Sequence, residues 1–327
     1  MGNTFPSSQV TGSNAPANFT SALDKALVQK AATGFFTDNT LGAKFIGAKT
    51  VSIPDIALDG LGDYNRATGY TGGDATIART VYTMTMDRGR SFMIDRMDND
   101  EQAVADLIGG VSGEFVRTKV APEMDAYVIS KLAAKAIAKS HTVSVGGSST
   151  LAADCYRMFS DARAAVEEAV GYDGQELVAF VDPTFIKALE TSTALSRNLV
   201  VNDFAHGGIN RKVKTLDGVA LIPVDSKRMY AEFEFYDGVT AGETDGGFVP
   251  KRTTVSTTTT VNHAGLIICP KGIGGLVKKT EQLRIFTPEQ NIDADAWKIN
   301  YRVYYDFFIK KSYENAIYAY TYTETVT

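Results

Sequence analysis

The chain has 327 residues, of which 44% are hydrophobic, and its 33 basic and 38 acidic side chains give a net charge of −5. This length provides core for one large domain or two ordinary ones, and a mildly acidic chain has no global attraction for nucleic acid. No apolar run approaches the roughly 20 residues that a membrane span needs, so we predict no membrane partner. The two cysteines, Cys155 and Cys269, lie in apolar contexts and predict buried thiols.

The chain begins with a polar segment. Residues 1–21 are rich in Ser, Thr, Asn, Gly and Pro and contain few large apolar side chains. Such a composition is typical of a flexible arm, or of an arm that a partner orders. We therefore predict an N-terminal arm before the folded part of the chain.

Residues 49–101 predict a long two-stranded ribbon that leads directly into a long helix. The returning arm Ile77–Asp95 is rich in Thr, Val, Tyr and Met. A lone two-stranded ribbon is marginal in water, because it buries too little apolar surface to offset the chain entropy. The ribbon therefore needs other chains to receive it, which favours a protein that assembles. Its tip is loosened by Gly60, Gly62, Gly69, Gly72 and Gly73.

A long helix follows the ribbon. Asp98 and Glu101 have the spacing of a reciprocal capping pair at its start. Apolar residues then recur at spacings of three and four as far as Lys139, and Pro122 predicts a kink or a break near Ala121. Because the helix shows only one apolar stripe, we expect a strut rather than a core helix.

After a Gly/Ser linker at residues 146–149 the pattern changes to mixed α and β structure. The spacing predicts an amphipathic helix that starts near Cys155 and is stopped by Gly171. A short buried strand is predicted over Leu177–Val181, and Asp182-Pro183 predicts the start of another helix.

Strands dominate the remaining pattern. Asp217-Gly218, between two apolar runs, predicts a tight hairpin. Residues 236–260 predict a long surface excursion with little core content, and Leu266–Cys269 predicts a buried strand. The strict alternation from Trp297 to Ile309 predicts a long strand inside a multi-stranded sheet.

The sequence contains no arrangement typical of catalysis. His141, His206 and His263 are scattered and lack a second ligand at helical or hairpin spacing, which favours partnered histidines over a metal site. The usual nucleophile, metalloprotease and phosphate-loop motifs are absent from the chain. We therefore predict no catalytic, cofactor-binding or metal-binding residues, and a protein that is not an enzyme.

One acidic group leaves an alternative open. Asp95, Asp98, Asp100 and Glu101 could together hold a divalent cation, and a metal-assisted hydrolase would use the three aspartates. Helix capping explains Asp98 and Glu101 without any metal, so we favour the structural interpretation.

Three segments carry a resemblance to a known family. They are Asp87–Asp95 running into the helix start, Lys119–Tyr127 in the middle of the helix, and Arg284–Asn291 followed by Ala294–Trp297 and the long strand. Each segment alone is only a weak indication of the family. In this order and spacing they resemble the major capsid proteins of tailed bacteriophages, which have the HK97-like fold, and the resemblance spans roughly residues 44–320.

The resemblance implies an α+β, HK97-like capsid fold. The peripheral domain would hold a long spine helix and a β-sheet, and the axial domain would be α/β. The implied parts are an N-terminal arm (1–45), an extended β-hairpin loop or E-loop with the start of the peripheral domain (46–96), the spine helix of the peripheral domain (97–150), the axial domain (151–290) and the C-terminal strands of the peripheral domain (291–327).

The same resemblance implies a structural protein that self-associates into hexamers and pentamers. These would build the icosahedral head shell around the double-stranded DNA genome of a phage. The implied partners are further copies of the chain, a portal and a separate scaffolding protein, because only about 40 residues precede the fold. Packaged DNA would be contacted non-specifically at most, and the protein would be part of a virion that assembles in the cytoplasm of the host bacterium. An encapsulin-like compartment that encloses a cargo enzyme is the alternative that keeps the fold.

The extended loop is the expected contact with neighbouring subunits. Some members of the family join subunits covalently through a lysine on this loop, but no lysine lies between Lys49 and Lys119. We therefore expect a non-covalent shell. The residues expected to make contact at the tip are Tyr64, Arg66, Tyr70, Gly72 and Gly73.

Overall fold

The computed structural model of the chain describes residues 31–38, 41–96, 104–145, 154–171, 174–191, 199–206, 209–255 and 258–326. Four α-helices lie in these residues: α1 (Val104–Phe115), α2 (Ala121–Ala138), α3 (Cys155–Val170) and α4 (Pro183–Thr191). Among the described residues, no helix combines the length and the apolar character that crossing a bilayer requires.

The strands are numbered in chain order. They are β1 (Lys44–Phe45), β2 (Thr50–Leu58), β3 (Ala75–Thr83), β4 (Met86–Asp95), β5 (Thr142–Val145), β6 (Leu177–Val181), β7 (Leu199–His206), β8 (Ile209–Leu216), β9 (Val219–Pro223), β10 (Phe233–Phe235), β11 (Phe248–Pro250), β12 (Arg252–Val255), β13 (Thr258–Pro270), β14 (Gly274–Phe286), β15 (Ala296–Ile309) and β16 (Tyr318–Val326).

The largest sheet has eight strands in the order β5-β16-β13-β6-β9-β8-β7, and β12 pairs with β13 beside this path. Its strand β6 is buried on both faces. Val178 and Phe180 pack in one hydrophobic cluster with α2, whereas Ala179 and Val181 pack in a second cluster with α3. The sheet thus separates two cores, as the continuous apolar run of β6 requires.

A second sheet has three strands in the order β14-β15-β4. The predicted long strand is confirmed as β15, the central strand of this sheet. Alternate residues of β15 are buried in the cluster that contains α2: Ile299, Tyr301, Val303, Tyr305 and Phe307.

The ribbon is formed by β2 and β3, which pair antiparallel from Thr50 opposite Thr83 to Leu58 opposite Ala75. The returning arm is shorter than the sequence predicts. Residues 86–95 do not pair with β2 but form β4, which pairs with β15 over its whole length. The chain therefore leaves the ribbon after Thr83 because a longer strand of the neighbouring sheet offers β4 a complete hydrogen-bonded ladder.

The predicted irregularity of the long helix is confirmed. Helix α1 continues through a π-helical turn at Val116–Val120 into α2, and the amide of Ala121 donates to the carbonyl of Val116, five residues back. Pro122 lacks an N–H and its ring crowds the preceding turn, so the wider turn removes the clash without ending the helix.

The expectation of a strut is wrong for α2. This helix is buried on most sides, including Asp125 and Tyr127, which carry polar groups. Both polar groups have partners inside the protein, so burial costs little. Tyr127 Oη donates to Asp306 Oδ1 at 2.7 Å, and Asp125 accepts from Thr33 N at 2.9 Å and from Arg228 Nη1 at 3.0 Å.

The local predictions in the mixed α and β region are confirmed. Gly171 ends α3 in the left-handed conformation with φ 78°. Asp217 and Gly218, with φ values of 50° and 83°, form the two-residue turn between β8 and β9. Cys155 and Cys269 are buried free thiols, as the sequence predicts.

The described part of the predicted N-terminal arm is packed rather than extended. Phe35 and Phe36 are fully buried, and Phe36 contacts Phe180 and Phe307 with ring centroids 6.1 and 5.1 Å apart. Beyond residue 140 the sheets cross the predicted ranges: β14 pairs with β15, and β16 pairs with β13, so both pairs span residue 290. The division into domains stays a prediction.

Candidate functional site

The ribbon has an inner half, an outer half and a tip. The inner half comprises residues 50–54 and 79–83, the outer half residues 55–58 and 75–78, and the tip residues 59–74. In the inner half, Val51 and Ile53 are buried against Tyr304 and Phe308 of β15. The ribbon is therefore fastened to its own chain over about one half of its strand length.

The outer half presents an apolar face to solvent. Ile56 lies opposite Ile77 and Leu58 opposite Ala75, so these side chains share one face of the ribbon. Ile56, Leu58 and Ile77 are 62%, 71% and 72% exposed, and Val81 continues the same face toward the inner half. A contiguous row of exposed large apolar side chains is typical of a surface that another molecule covers.

The structure places all five predicted contact residues at the tip. The rings of Tyr64 and Tyr70 lie edge to face with centroids 5.0 Å apart, and the two side chains are 61% and 92% exposed. Arg66 is exposed, a Cβ on Gly72 would meet nothing within 4 Å, and a Cβ on Gly73 would lie 3.5 Å from Asp59. The tip is therefore free to contact another molecule, and contact through these residues stays a prediction.

The tip is ordered by its own hydrogen bonds. The amide of Gly69 donates to the carbonyl of Asn65 at 2.7 Å, and Asn65 Oδ1 accepts from the amide of Ala67 at 2.8 Å. Gly69 has φ 85°, a conformation that a side chain would strain. Where the strands end, the amide of Asp74 donates to Asp59 Oδ2 at 2.8 Å. The tyrosines are thus held on a defined turn.

The root of the ribbon is fixed by a buried carboxylate. Asp306 on β15 is 1% exposed, and its Oδ2 accepts from the amide of Thr85 at 2.9 Å, between β3 and β4. Its Oδ1 accepts from Tyr127 Oη on α2 at 2.7 Å. One carboxylate therefore joins the ribbon root, the central strand and the core helix, which sets the direction in which the ribbon leaves the body.

A second surface lies where β4, the helix and the loop 236–247 meet. Arg88 on β4 forms a bidentate ion pair with Glu123: its Nε donates to Oε1 at 2.7 Å and its Nη2 to Oε2 at 3.2 Å. The same guanidinium donates to the carbonyls of Tyr236 at 2.7 Å and Gly247 at 3.1 Å. Arg88 therefore ties the loop to the helix through charge-assisted hydrogen bonds.

Arg90 holds the same loop two residues later on β4. Its guanidinium donates to the carbonyl of Thr244 at 3.1 and 3.2 Å. A Cβ at Gly238 would lie only 2.9 Å from Arg90 Nη1, so this glycine leaves room for the arginine side chain. Asp237 opens the loop, and its carboxylate accepts from Thr240 Oγ1 and from two backbone amides, which lowers its pKa to about 2.

These elements enclose a cavity of about 420 Å³. Phe92, Phe115 and Tyr301 contribute aromatic walls, and the rings of Phe92 and Phe115 lie 4.9 Å apart. Tyr305 also lines the cavity; it is 1% exposed, and among the residues that the structure describes its hydroxyl has no hydrogen-bond partner. Burial raises the pKa of Tyr305 well above its usual value, so this hydroxyl keeps its proton and remains a donor.

The residues considered for a metal or for catalysis do not form a site in the described part of the chain. There, no group of three or more His, Cys, Asp and Glu side chains could hold a metal ion. Asp98, Asp100 and Glu101 lie outside the described residues, so their capping role stays a prediction. His263 is partnered, as predicted: its Nε2 lies 2.7 Å from Glu324 and its ring stacks on Tyr322 at 4.7 Å.

Two parts of this surface were missed in the sequence. The expected contacts were placed at the tip, although the alternation of Ile56 with Leu58 already indicated an apolar face. The cavity could not be anticipated, because its walls come from four segments spread between Asp87 and Tyr305. In the sequence, the one sign of this cavity was the glycine-rich loop near Gly246.

Comparisons with known proteins agree on the fold. No family model matches the chain, and no curated protein matches it. A solved structure of Gordonia phage Cozz has a TM-score of 0.52 at 12% identity, over 90% of this chain and 86% of that chain. The asymmetric unit of the bacteriophage PhiM1 mature capsid has a TM-score of 0.50 at 12% identity, over 84% of this chain and 82% of that chain.

At this level of identity the likeness defines the fold. The chain has the α+β, HK97-like fold of phage capsid structures, as the sequence motifs predict. Within the described residues, the ribbon exposes large apolar side chains that its own chain does not cover.

Proposed function

We propose that this chain is the structural major capsid protein of a tailed phage. It would self-associate into hexamers and pentamers and close an icosahedral shell around double-stranded DNA. One observation carries the proposal: an ordered ribbon on this fold exposes Ile56, Leu58 and Ile77 on one face, where the described part of its own chain offers no cover. The likeness to a mature phage capsid supports the same conclusion.

The energetics favour association through the ribbon. Full burial of a Leu or Ile side chain contributes about 1.5–3 kcal/mol, so three such residues offer several kcal/mol for each contact. A ribbon that docks on a different part of the next copy makes a heterologous contact, which closes into rings when the rotation allows it. Repetition of one weak contact around a ring and across its edges then stabilises a shell.

The proposed partners follow from this role. The chain would contact further copies of itself, a portal and a separate scaffolding protein, and it would have no enzymatic activity. Its net charge of −5 suits a container for DNA, because a wall that bound phosphates tightly would hinder packing. The protein would form part of a virion assembled in the cytoplasm of the host bacterium.

Electron microscopy of the full chain tests this proposal, with the protein expressed alone and together with its genomic neighbours. We expect closed, DNA-containing shells in the second case and inefficient assembly in the first. Closed shells filled with a cargo enzyme would favour the encapsulin-like alternative. Efficient shells from the chain alone would contradict a separate scaffolding protein, and a monomer under both conditions would contradict the proposal.

The shell should be non-covalent. The ribbon contains no lysine beyond Lys49, so the lysine that joins subunits in some capsids is absent from it. Denaturing gels of mature particles should show a single band near the mass of the chain, 35.2 kDa. Ladders of higher mass under reducing conditions would contradict this expectation.

A further inference from the structure

The C-terminal end of α2 carries a local excess of positive charge, although the whole chain has a net charge of −5. The lysine patch at this end has five members: Lys131, Lys135, Lys139, Lys310 and Lys311. We propose, on the basis of the capsid role proposed above, that the lysine patch contacts the phosphate backbone of the packaged double-stranded DNA. Under this proposal the patch faces the lumen of the shell.

Three of the lysines form a row on one helix. Lys131 and Lys135 lie within α2, and Lys139 directly follows its last residue. Because they recur every four residues, their side chains lie on the same face, about 6 Å apart along the helix axis. Lys131 Nζ lies 5.3 Å from the centre of the Tyr127 ring, so this side chain packs along the helix surface.

The other two lysines come from the turn after β15. Lys311 begins a short 3-10 helix at this turn, and Lys310 directly precedes it. Glu314 joins the turn to the helix, because its two carboxylate oxygens lie 2.7 Å from Lys135 Nζ and 3.0 Å from Lys139 Nζ. Lys135 and Glu314 are 179 residues apart in the chain, so only the fold assembles the patch.

The carboxylates of the patch do not balance its lysines. Three lysines have carboxylate partners: the two that share Glu314, and Lys311, whose Nζ lies 3.1 Å from Asp55 Oδ2. Among the described residues, the other two, Lys131 and Lys310, have no ion-pair partner. Five lysines against two carboxylates leave an excess of three positive charges, and all five side chains are at least partly exposed.

Stabilisation of the helix does not account for the whole patch. Lysines in the last turn of a helix interact favourably with its dipole, which explains Lys135 and Lys139. This interaction does not explain Lys310 and Lys311, which lie on a different element. Like charges that a fold brings together repel each other, so a polyanion that covers them lowers the energy of the arrangement.

The chemistry of the patch favours a phosphate backbone. A lysine ammonium is a point charge without the planar fork by which arginine selects one carboxylate or phosphate geometry. Contacts of this kind are independent of base sequence, as a shell around a whole genome requires. Three uncompensated charges for each copy also give only weak binding at physiological salt, so the patch does not hold the DNA against packing.

The acidic loop 236–247 of a second copy is the competing polyanion. This loop lies near Glu123 at the other end of α2, about 24 Å from Lys139 along the helix axis. Its carboxylates are already used within the loop. Asp237 accepts from the amides of residues 239 and 240, and Glu243 Oε2 accepts from the amide of Asp237 at 3.3 Å. The charges therefore favour DNA as the occupant.

The salt dependence of DNA binding tests the patch. The full, unassembled chain is titrated with a fluorescein-labelled DNA duplex over a series of NaCl concentrations. About three neutralised phosphates predict that log K falls with log [NaCl] at a slope of about −2.7. The triple variant Lys131→Gln/Lys139→Gln/Lys310→Gln should bind at least about tenfold more weakly and bring the slope close to zero.

A second triple variant is the matched control, because it removes the same charge from exposed lysines elsewhere: Lys44→Gln, Lys227→Gln and Lys251→Gln. It should keep the slope of the wild type. An unchanged slope in the patch variant, or an equal loss in the control, would overturn the proposal. Replacing the same three patch lysines with arginine keeps the charge and should keep the slope, whereas a loss of binding there would indicate a structural role and overturn it.

Formaldehyde crosslinking of DNA-filled shells locates the contact. Mass spectrometry should find DNA adducts on the lysines of the patch. Filled wild-type shells without such adducts would overturn this inference and leave the proposed capsid function standing, whereas failure of the wild type to form shells would overturn both. A patch variant that binds DNA like the wild type but no longer assembles would assign the patch to the acidic loop of a second copy and overturn the DNA contact.

Discussion

The two halves of the ribbon share strands, register and alternation, yet they differ in what covers them. In the inner half, Ile53 is 6% exposed and packs against β15; in the outer half, Ile56 is 62% exposed, three residues further along β2. The amino-acid types do not explain this difference. Two things change. The odd spacing places Ile56 on the opposite face of the ribbon from Ile53, the face on which Val81 is also exposed, and beyond residue 54 the body of the protein no longer covers the face of Ile53 either.

Under the proposed function, this difference separates the apolar residues that serve the fold from those that would serve assembly. Burial of Val51 and Ile53 in the inner half stabilises the monomer, whereas the exposed apolar side chains of the outer half gain no burial energy until another molecule covers them. Solvent exposure of such a face costs solubility, which favours a partner that covers it. The two halves should therefore respond oppositely to mutation: the inner half through stability and the outer half through assembly.

The largest effect is expected when the tip is removed. Replacing residues 60–73 with an Asn-Gly turn should leave the unfolding midpoint of the monomer unchanged, because the tip contacts none of the core. The same variant should form no stable shells in electron microscopy. A Gly/Ser segment of the original length is the matched variant that keeps the reach but removes the side chains. Normal shells from the Asn-Gly variant would contradict the assigned role of the ribbon.

A pair of alanine substitutions compares the two halves directly. Ile53→Ala should lower the free energy of unfolding by about 2–5 kcal/mol, because it opens a cavity against β15. Ile56→Ala should change it by no more than about 0.5 kcal/mol but should weaken assembly. Urea unfolding and sedimentation of both variants give the two quantities. Equal losses of monomer stability would refute the division into two halves.

The sequence predicts those parts of the fold that depend on short-range patterns. Strict alternation was enough for β15, and Asp217-Gly218 was enough for the hairpin, because both depend on local chemistry. The end of the ribbon was not predictable in this way. Residues 77–95 are rich in residue types that favour β structure on both sides of the break, and the break after Thr83 depends on β15, which lies over 200 residues later.

Long-range partners also explain the wrong expectation for the core helix. Asp125 suggests a solvated face by its type, but Thr33 and Arg228 satisfy its carboxylate inside the protein, and Asp306 satisfies the hydroxyl of Tyr127 on the apolar stripe. No periodicity reveals such partners. The candidate site follows the same rule: the tip was predicted from a local glycine pattern, whereas the cavity depends on segments that only the fold brings together.

The smallest effect on stability is expected at the root of the ribbon, where contacts to the body fix the direction of both halves. Thr85 Oγ1 donates to Asp306 Oδ2 at 3.1 Å, and Thr85→Val removes this bond while the amide of residue 85 keeps its own bond to the same oxygen. Because Thr85 is exposed, we expect the free energy of unfolding to fall by only about 1 kcal/mol. Thr83→Val, at an exposed position two residues earlier, is the matched control and should cost less than about 0.5 kcal/mol.

Hydrogen exchange shows where the effect of Thr85→Val acts. The amide of Met84 donates to the carbonyl of Lys49 at 2.8 Å beside the root, so it should exchange faster in the variant. Amides in the outer half should exchange as in the wild type, because their ladder between β2 and β3 is intact. Faster exchange along the whole ribbon would mean that one bond at the root controls both halves, and the two halves would then be a single cooperative unit.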